Sequence, residues 1–220
     1  MQLSFLISQA RSGELASLSS KKVTDKEVID YLNAAMVALY GRFQLAVDEA
    51  IIALDMINVR TLYKMDGTDS AVTVRGETIK PEEYMVAVTV TNEDGTVSNL
   101  NDDSDPLSCY TVGYNTLQIP LIAEHSYVSV IYRKNPKLIT FIDNGTGGAT
   151  DCIVELPLQL LDATTAYIGY KAHSSITNSV QGEENTLYKR YLEACNQAEL
   201  LGLLPASSMV QEPVTSKGFV

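Results

Sequence analysis

The sequence predicts an α+β protein: a helical bundle built from the N- and C-terminal helices, with an inserted antiparallel β-sandwich or barrel-like domain. Two observations carry that prediction. Helical periodicity stands at both ends, over Asp25–Phe43 and again from Pro157 to Gly202. Short, alternating, β-branched segments fill the middle. Helix, then β, then two helices is best explained if the helices pack on each other and the β part leaves and returns. The expected division is residues 1–44 and 154–202 as the bundle, 45–153 as the inserted domain, and 203–220 as an extended C-terminal arm.

Residues 2–20 read as a short apolar helix, with Leu3, Leu6, Ile7 and Ala10 on one side and a polar loop near Ser12-Gly13. Thr24 and Glu27 form the pattern of a capping box. Behind them Ile29, Leu32, Met36, Leu39 and Phe43 recur at steps of three and four, a single buried stripe. Gly41 is the expected stop of a helix over 25–41. Residues 46–54 fit helix or strand, with strand favoured. Ile57–Tyr63, Ala71–Val74, Tyr84–Val90, Leu117–Ile119, Tyr127–Tyr132 and Leu138–Ile142 read as strands. Asp94-Gly95 is a hairpin turn. Asp143–Gly148 is a connector. Pro157 suits the first turn of a helix over 157–174, and Glu183-Glu184 open another that Gly202 ends. The tail has no period and contains Pro205 and Pro213.

The chain has 220 residues, 45% of them hydrophobic, and a formal net charge of −11. That charge opposes sequence-blind binding to nucleic acid, which needs clustered Lys and Arg. It does not oppose standing beside DNA without sticking. The first residues lack a basic region, so no signal peptide is expected. No run reaches the roughly 18 apolar residues of a membrane span. Cys109, Cys152 and Cys195 are odd in number and far apart, and read as reduced, mostly buried thiols.

Residues able to do chemistry are scarce. His125 and His173 lack the spacing of HExxH or HxH and read as solvent-facing or capping. Gly145–Gly148 lacks the Lys-Ser/Thr of a phosphate loop. Asn101, Asp103 and Asp105 have the one-three-five spacing of a calcium loop. Pro106 stands where its glycine should be and no Glu follows at the twelfth position, so Asp102, Asp103 and Asp105 read as a solvated turn. No catalytic residue, no cofactor and no metal is expected, and the chain reads as a non-enzyme. Twelve tyrosines and no tryptophan stand out. Tyr31, Tyr40, Tyr167, Tyr170, Tyr188 and Tyr191 fall in helical segments, as core residues or interface anchors.

The stretch Asp25–Phe43, with Ile29, Leu32-Asn33, Leu39-Tyr40 and Arg42-Phe43, resembles the first long helix of head-to-tail adaptor (connector) proteins of tailed bacteriophages. Val154–Pro157, Ala166-Tyr167 and Tyr170–His173 look like that family's returning helix, and Asn185–Leu200 like its closing helix. Ile7–Leu15 is also similar. The likeness covers roughly half the chain and leaves the β insertion outside it. It implies a virion structural protein at the head-tail junction, assembled in the host cytoplasm. Such adaptors form a homo-oligomeric ring, usually of twelve copies, beneath the portal protein ring. They receive tail or nozzle proteins, touch no membrane, and let genomic DNA pass through the lumen without sequence-specific binding. By the same resemblance Leu203, Leu204, Pro205, Met209, Val210, Pro213 and Phe219 are expected to grip the portal. Tyr40, Tyr167, Tyr170, Tyr188 and Tyr191 are candidates for the subunit interface. Two other readings stand beside it: a neck or tail-completion ring protein further from the portal, and a receptor- or carbohydrate-binding β module with helical anchors. Tyr110 and Tyr114 keep the last one open.

Overall fold

A computed structural model describes residues 1–19, 22–55, 57–80, 82–121, 125–145, 148–176 and 181–203. It is a mixed α+β structure with antiparallel sheets. The chain forms two compact units. One, the helical unit, comprises Met1–Leu45 together with the chain from Pro136 onward; the other, the strand unit, is Ala46–Asn135.

In the helical unit, α1 is Leu3–Ser12, α2 is Asp25–Arg42, α3 is Leu161–Ile176 and α4 is Gln181–Leu200. A 3-10 turn, Leu158–Leu160, leads into α3 directly after Pro157. The capping box is present: Thr24 N–H donates to Glu27 Oε2 at 2.7 Å, and Glu27 N–H donates to Thr24 Oγ1 at 3.3 Å. The predicted stripe is buried, from Ile29 through Leu32, Met36 and Leu39 to Phe43. α2 packs on α3, and α3 on both α1 and α4.

Gly41 does not end α2. The helix runs on to Arg42 and stops at Phe43, whose backbone is extended (φ −112°, ψ 150°). Gly202 does end α4. Its φ is +61°, Leu203 N–H donates to Ala198 O at 3.0 Å, and Gly202 N–H donates to Glu199 O at 2.9 Å. That pair of bonds is a Schellman stop, which favours glycine for its left-handed backbone.

Leu138–Ile142 is not a strand. Asn33 on α2 meets it with both ends of its amide: Nδ2 donates to Ile139 O and Ile139 N–H donates to Oδ1, each at 2.9 Å. A side chain thus supplies the hydrogen bonds a neighbouring strand would supply. Further along, Asp151 accepts from Ser4 N–H at 2.9 Å and Ser4 Oγ at 3.0 Å, and Val154 N–H donates to Met1 O at 2.7 Å. These bonds tie 136–154 to the helices, so the compact division falls after Asn135 rather than after residue 153.

Three carboxylates of the helical unit are held below the usual range. The Thr24 backbone amide, then its hydroxyl, lowers Glu27; Arg42 lowers Glu199; the Ser4 amide lowers Asp151. A group lowered on folding contributes fully above its unfolded value, and the contribution is lost as pH falls through the folded one. The melting temperature read at 222 nm is therefore expected to be level from about pH 7 to about pH 5 and to fall below about pH 4. A melting temperature that rises on acidification would contradict this.

The strand unit holds two antiparallel sheets. The larger runs β4 (Glu77–Thr78), β3 (Val72–Val74), β1 (Val47–Ala53), β9 (Tyr127–Lys134), β5 (Tyr84–Asn92), β6 (Val97–Ser98). The smaller runs β2 (Arg60–Lys64), β8 (Thr116–Pro120), β7 (Tyr110–Gly113). Both are open, with β4 and β6 as the edges of one and β2 and β7 as the edges of the other, so neither is a closed barrel. Gly95 (φ +85°) makes the β5–β6 turn, where Asn92 N–H donates to Thr96 O at 2.8 Å. Alternate residues of the strands meet in one buried cluster: Ile52, Val128, Val130 and Tyr132 from the larger sheet, Tyr63, Leu117 and Ile119 from the smaller.

Tyr132 is fully buried and its ring lies 5.5 Å from that of Tyr84. The Tyr84 hydroxyl accepts from Ala87 N–H at 2.9 Å, where β5 shifts register. The Tyr132 hydroxyl has no hydrogen-bond partner among the described residues. A buried polar group without a partner is destabilising, so Tyr132→Phe is expected to raise stability by about 1 kcal/mol. Urea unfolding of the strand unit checks it, and a lower midpoint would contradict it.

Candidate interaction surfaces

Arginines anchor the helical unit's outer seams. Arg11 of α1 meets Asp25 of α2 at 2.5 Å and donates to Val23 O at 2.9 Å. Arg42 of α2 donates to Glu199 at 2.7 Å and to Asn196 at 2.5 Å, both on α4. Arg190 of α4 pairs with Glu14 and with Asp162 at the start of α3. Each pair is partly solvated, so its weight lies more in fixing geometry than in energy.

The helical tyrosines are distributed unevenly. Tyr40 is 2% exposed and its hydroxyl donates to Glu155 O at 2.9 Å, so its ring is core. The Tyr31 hydroxyl meets Ser175 Oγ at 2.8 Å. Tyr167 and Tyr170 of α3 and Tyr188 and Tyr191 of α4 form a closed ring of contacts. Centroids are 5.8 Å apart for 167–170, 5.0 Å for 170–188, 5.8 Å for 188–191 and 5.0 Å for 191–167. Tilted and edge-on pairs at these distances suit the aromatic quadrupole. Lys171 lies over both α3 rings, at 5.6 and 5.4 Å. The quartet is thus first an α3–α4 seam. Tyr191 is buried within it and Tyr188 is exposed, which leaves Tyr167, Tyr170 and Tyr188 with surface to offer a neighbour. The signal was present in the sequence, as two tyrosine pairs spaced three apart on consecutive helices.

His173 is buried rather than solvent-facing: Nε2 lies 3.1 Å from Glu14 O, a carbonyl just beyond α1. The His125 side chain is mostly covered and lies 3.9 Å from Asp94. Cys109 and Cys195 are buried and Cys152 exposed. Burial pushes the Cys109 thiol up to about 11 and raises Cys195 as well, so both are protonated and unreactive at neutral pH. In the acidic loop Asp102 accepts from Ser104 N–H at 2.9 Å, and Asp105 from Leu107 N–H at 2.8 Å and Asn99 Nδ2 at 2.9 Å. The carboxylates close turns. Among the described residues no three His, Cys, Asp or Glu side chains are grouped as metal ligands.

Of the expected portal-gripping residues, Leu203 is exposed just past the end of α4. Leu204, Pro205, Met209, Val210, Pro213 and Phe219 lie outside the described residues. No described helix is long and apolar enough to cross a membrane. No family model matches the sequence, and no curated protein matches it.

Proposed function

We propose that this chain is a structural assembly protein, the head-to-tail adaptor of a tailed bacteriophage. The supporting observation is the return of the chain: described residues before 46 and after 135 build one helical unit, and the named elements described between them are antiparallel strands. In this reading α2, α3 and α4 are the bundle that builds the ring, and the two sheets pair as a sandwich that receives the tail. Copies of the chain, about twelve, stand beneath the portal ring, with Tyr167, Tyr170 and Tyr188 toward the neighbouring copy. The arm 203–220 grips the portal and orders as it binds. A net charge of −11 suits a channel that DNA slides through without sticking. The function is mechanical and needs no catalytic residue. A sugar-binding β module gains little support, because the face of Tyr110 is covered by Arg60 at 5.3 Å.

The test is particle imaging of the purified chain mixed with the portal oligomer of its source phage. A ring of copies beneath the portal is expected. A chain truncated after Leu203 is expected to keep its helical signal at 222 nm and fail to load. Full-length chain that stays apart from portal at every ratio would refute the proposal.

A further inference from the structure

The outer face of the smaller sheet sets exposed apolar residues beside a held cation. Tyr63, Leu117 and Ile119 turn into the core, so Leu62, Gln118 and Tyr110 turn out, and the pairing sets these three side by side across β2, β8 and β7. Arg60 crosses that row. Its guanidinium lies 5.3 Å from the Tyr110 ring centre and donates to Gln118 Oε1 at 3.4 Å and Pro106 O at 2.8 Å. A long cation held in this way has already given up much of its rotamer freedom, so a partner that meets it loses less on binding.

Leu62 in this row is exposed, and so are Leu107, Val112, Tyr114 (76%) and Ile57 (87%) on β7 and on the segments that lead into or out of the three strands. Tyr114 stands at the tip of the β7–β8 hairpin, and the segment that carries Ile57 is held by its own bonds. Asp55 accepts from Ile57 N–H at 2.9 Å and Asn58 Nδ2 at 2.6 Å, and Leu121 N–H donates to Val59 O at 2.8 Å. Exposed, fixed aromatic and aliphatic groups beside a preset arginine are the composition of a binding hot spot.

The rim decides what fits there. The loop that carries Asp102, Asp103 and Asp105 adjoins the face, as does Asp66 beside the β7–β8 turn. The Tyr110 hydroxyl donates to Asp102 O at 2.8 Å, which holds the acidic loop against β7, and Asn115 Nδ2 donates to Asp66 at 2.9 Å. Against these acids the three strands carry two cations, Arg60 and Lys64. An acidic rim repels a phosphate backbone. A second copy would bring the same acids face to face. We infer that this face docks a protein partner that presents an apolar loop or strand flanked by lysine or arginine. The face is a property of the strand unit alone, whatever particle the chain belongs to.

The probe is a displayed library of random peptides of about twelve residues, selected on the full chain. The double variant Leu62→Ser, Tyr114→Ser is the counter-target, and its melting curve should match that of the unaltered chain because both side chains are exposed. Enriched peptides should carry apolar residues beside Lys or Arg and bind the unaltered chain about tenfold or more tighter than the double variant. Their binding should weaken several-fold between low and high salt. Asp103→Asn, at an exposed position, should weaken it about two- to threefold. The inference is overturned if no peptide is enriched, if enriched peptides lack basic residues, or if they bind the double variant equally. It is also overturned if the unaltered chain self-associates and the double variant does not.

Discussion

Phe43→Ala is expected to cost the helical unit about 3–5 kcal/mol, the usual range for emptying a phenylalanine site in a core. Phe43 is fully buried at the end of α2, and its N–H closes the last turn on Leu39 O at 2.8 Å. The Arg42 guanidinium lies 5.8 Å from its ring and continues to Glu199 and Asn196 on α4. Loss of the ring therefore removes packing and also loosens the support of that arginine. Two compact units need not unfold together. The check is thermal unfolding at 222 nm, which reports the helices, beside a probe of the strand unit. A shift confined to the helical signal is expected, and an unchanged midpoint would contradict it.

The second large effect comes from one atom. A Cβ on Gly169 would stand 2.6 Å from Glu14 Cβ and 3.2 Å from Leu187 Cδ1. Leu187 can turn away, but Glu14 Cβ cannot move without its backbone. Gly169→Ala is expected to destabilise by about 1–3 kcal/mol as overpacking, less up to about 1 kcal/mol gained in helix propensity. Gly41→Ala is the control. It too is helical, and nothing stands within 4 Å of the added atom. There the propensity term acts alone, and a gain of about 0.5–1 kcal/mol is expected. Urea midpoints of the two variants should move in opposite directions; movement in the same direction would refute the close approach at Gly169.

These two glycines also show where sequence reading stops. Gly41 and Gly202 look alike as helix stops, each following an apolar stripe. Only the backbone beyond them distinguishes the cases: Phe43 turns extended, whereas Leu203 folds back onto Ala198. α2 was legible because its signals are local, a capping box and a three-four period within twenty residues. Tyr84–Val90 and Tyr127–Tyr132 were legible for the same reason, as alternation. Leu138–Ile142 was misread because alternation records a half-buried extended chain, not its partner, and the partner is an asparagine 106 positions away. β4, β6 and β7 were missed: two residues carry no period, and Tyr110–Gly113 ends in a glycine that reads as turn. The tyrosine candidates were visible as residues. Their use was not, since burial of Tyr40 depends on the Glu155 carbonyl, 115 positions distant. The Arg60–Tyr110 contact left no trace in the sequence, because it joins strands fifty positions apart.

The return of the chain also orders its birth on the ribosome. Every strand of the strand unit has its partners within residues 46–135, so that unit can close as soon as they emerge. Helix α2 cannot. Its apolar stripe waits for α3, more than a hundred residues later, which at ~5–20 residues per second is roughly 5–25 s of synthesis. During that interval Leu32, Met36 and Leu39 lack the cover of α3; contact with a neighbouring polysome is the hazard, and a nascent-chain chaperone is the protection. The N-terminal half of the helical unit is made first and completed last.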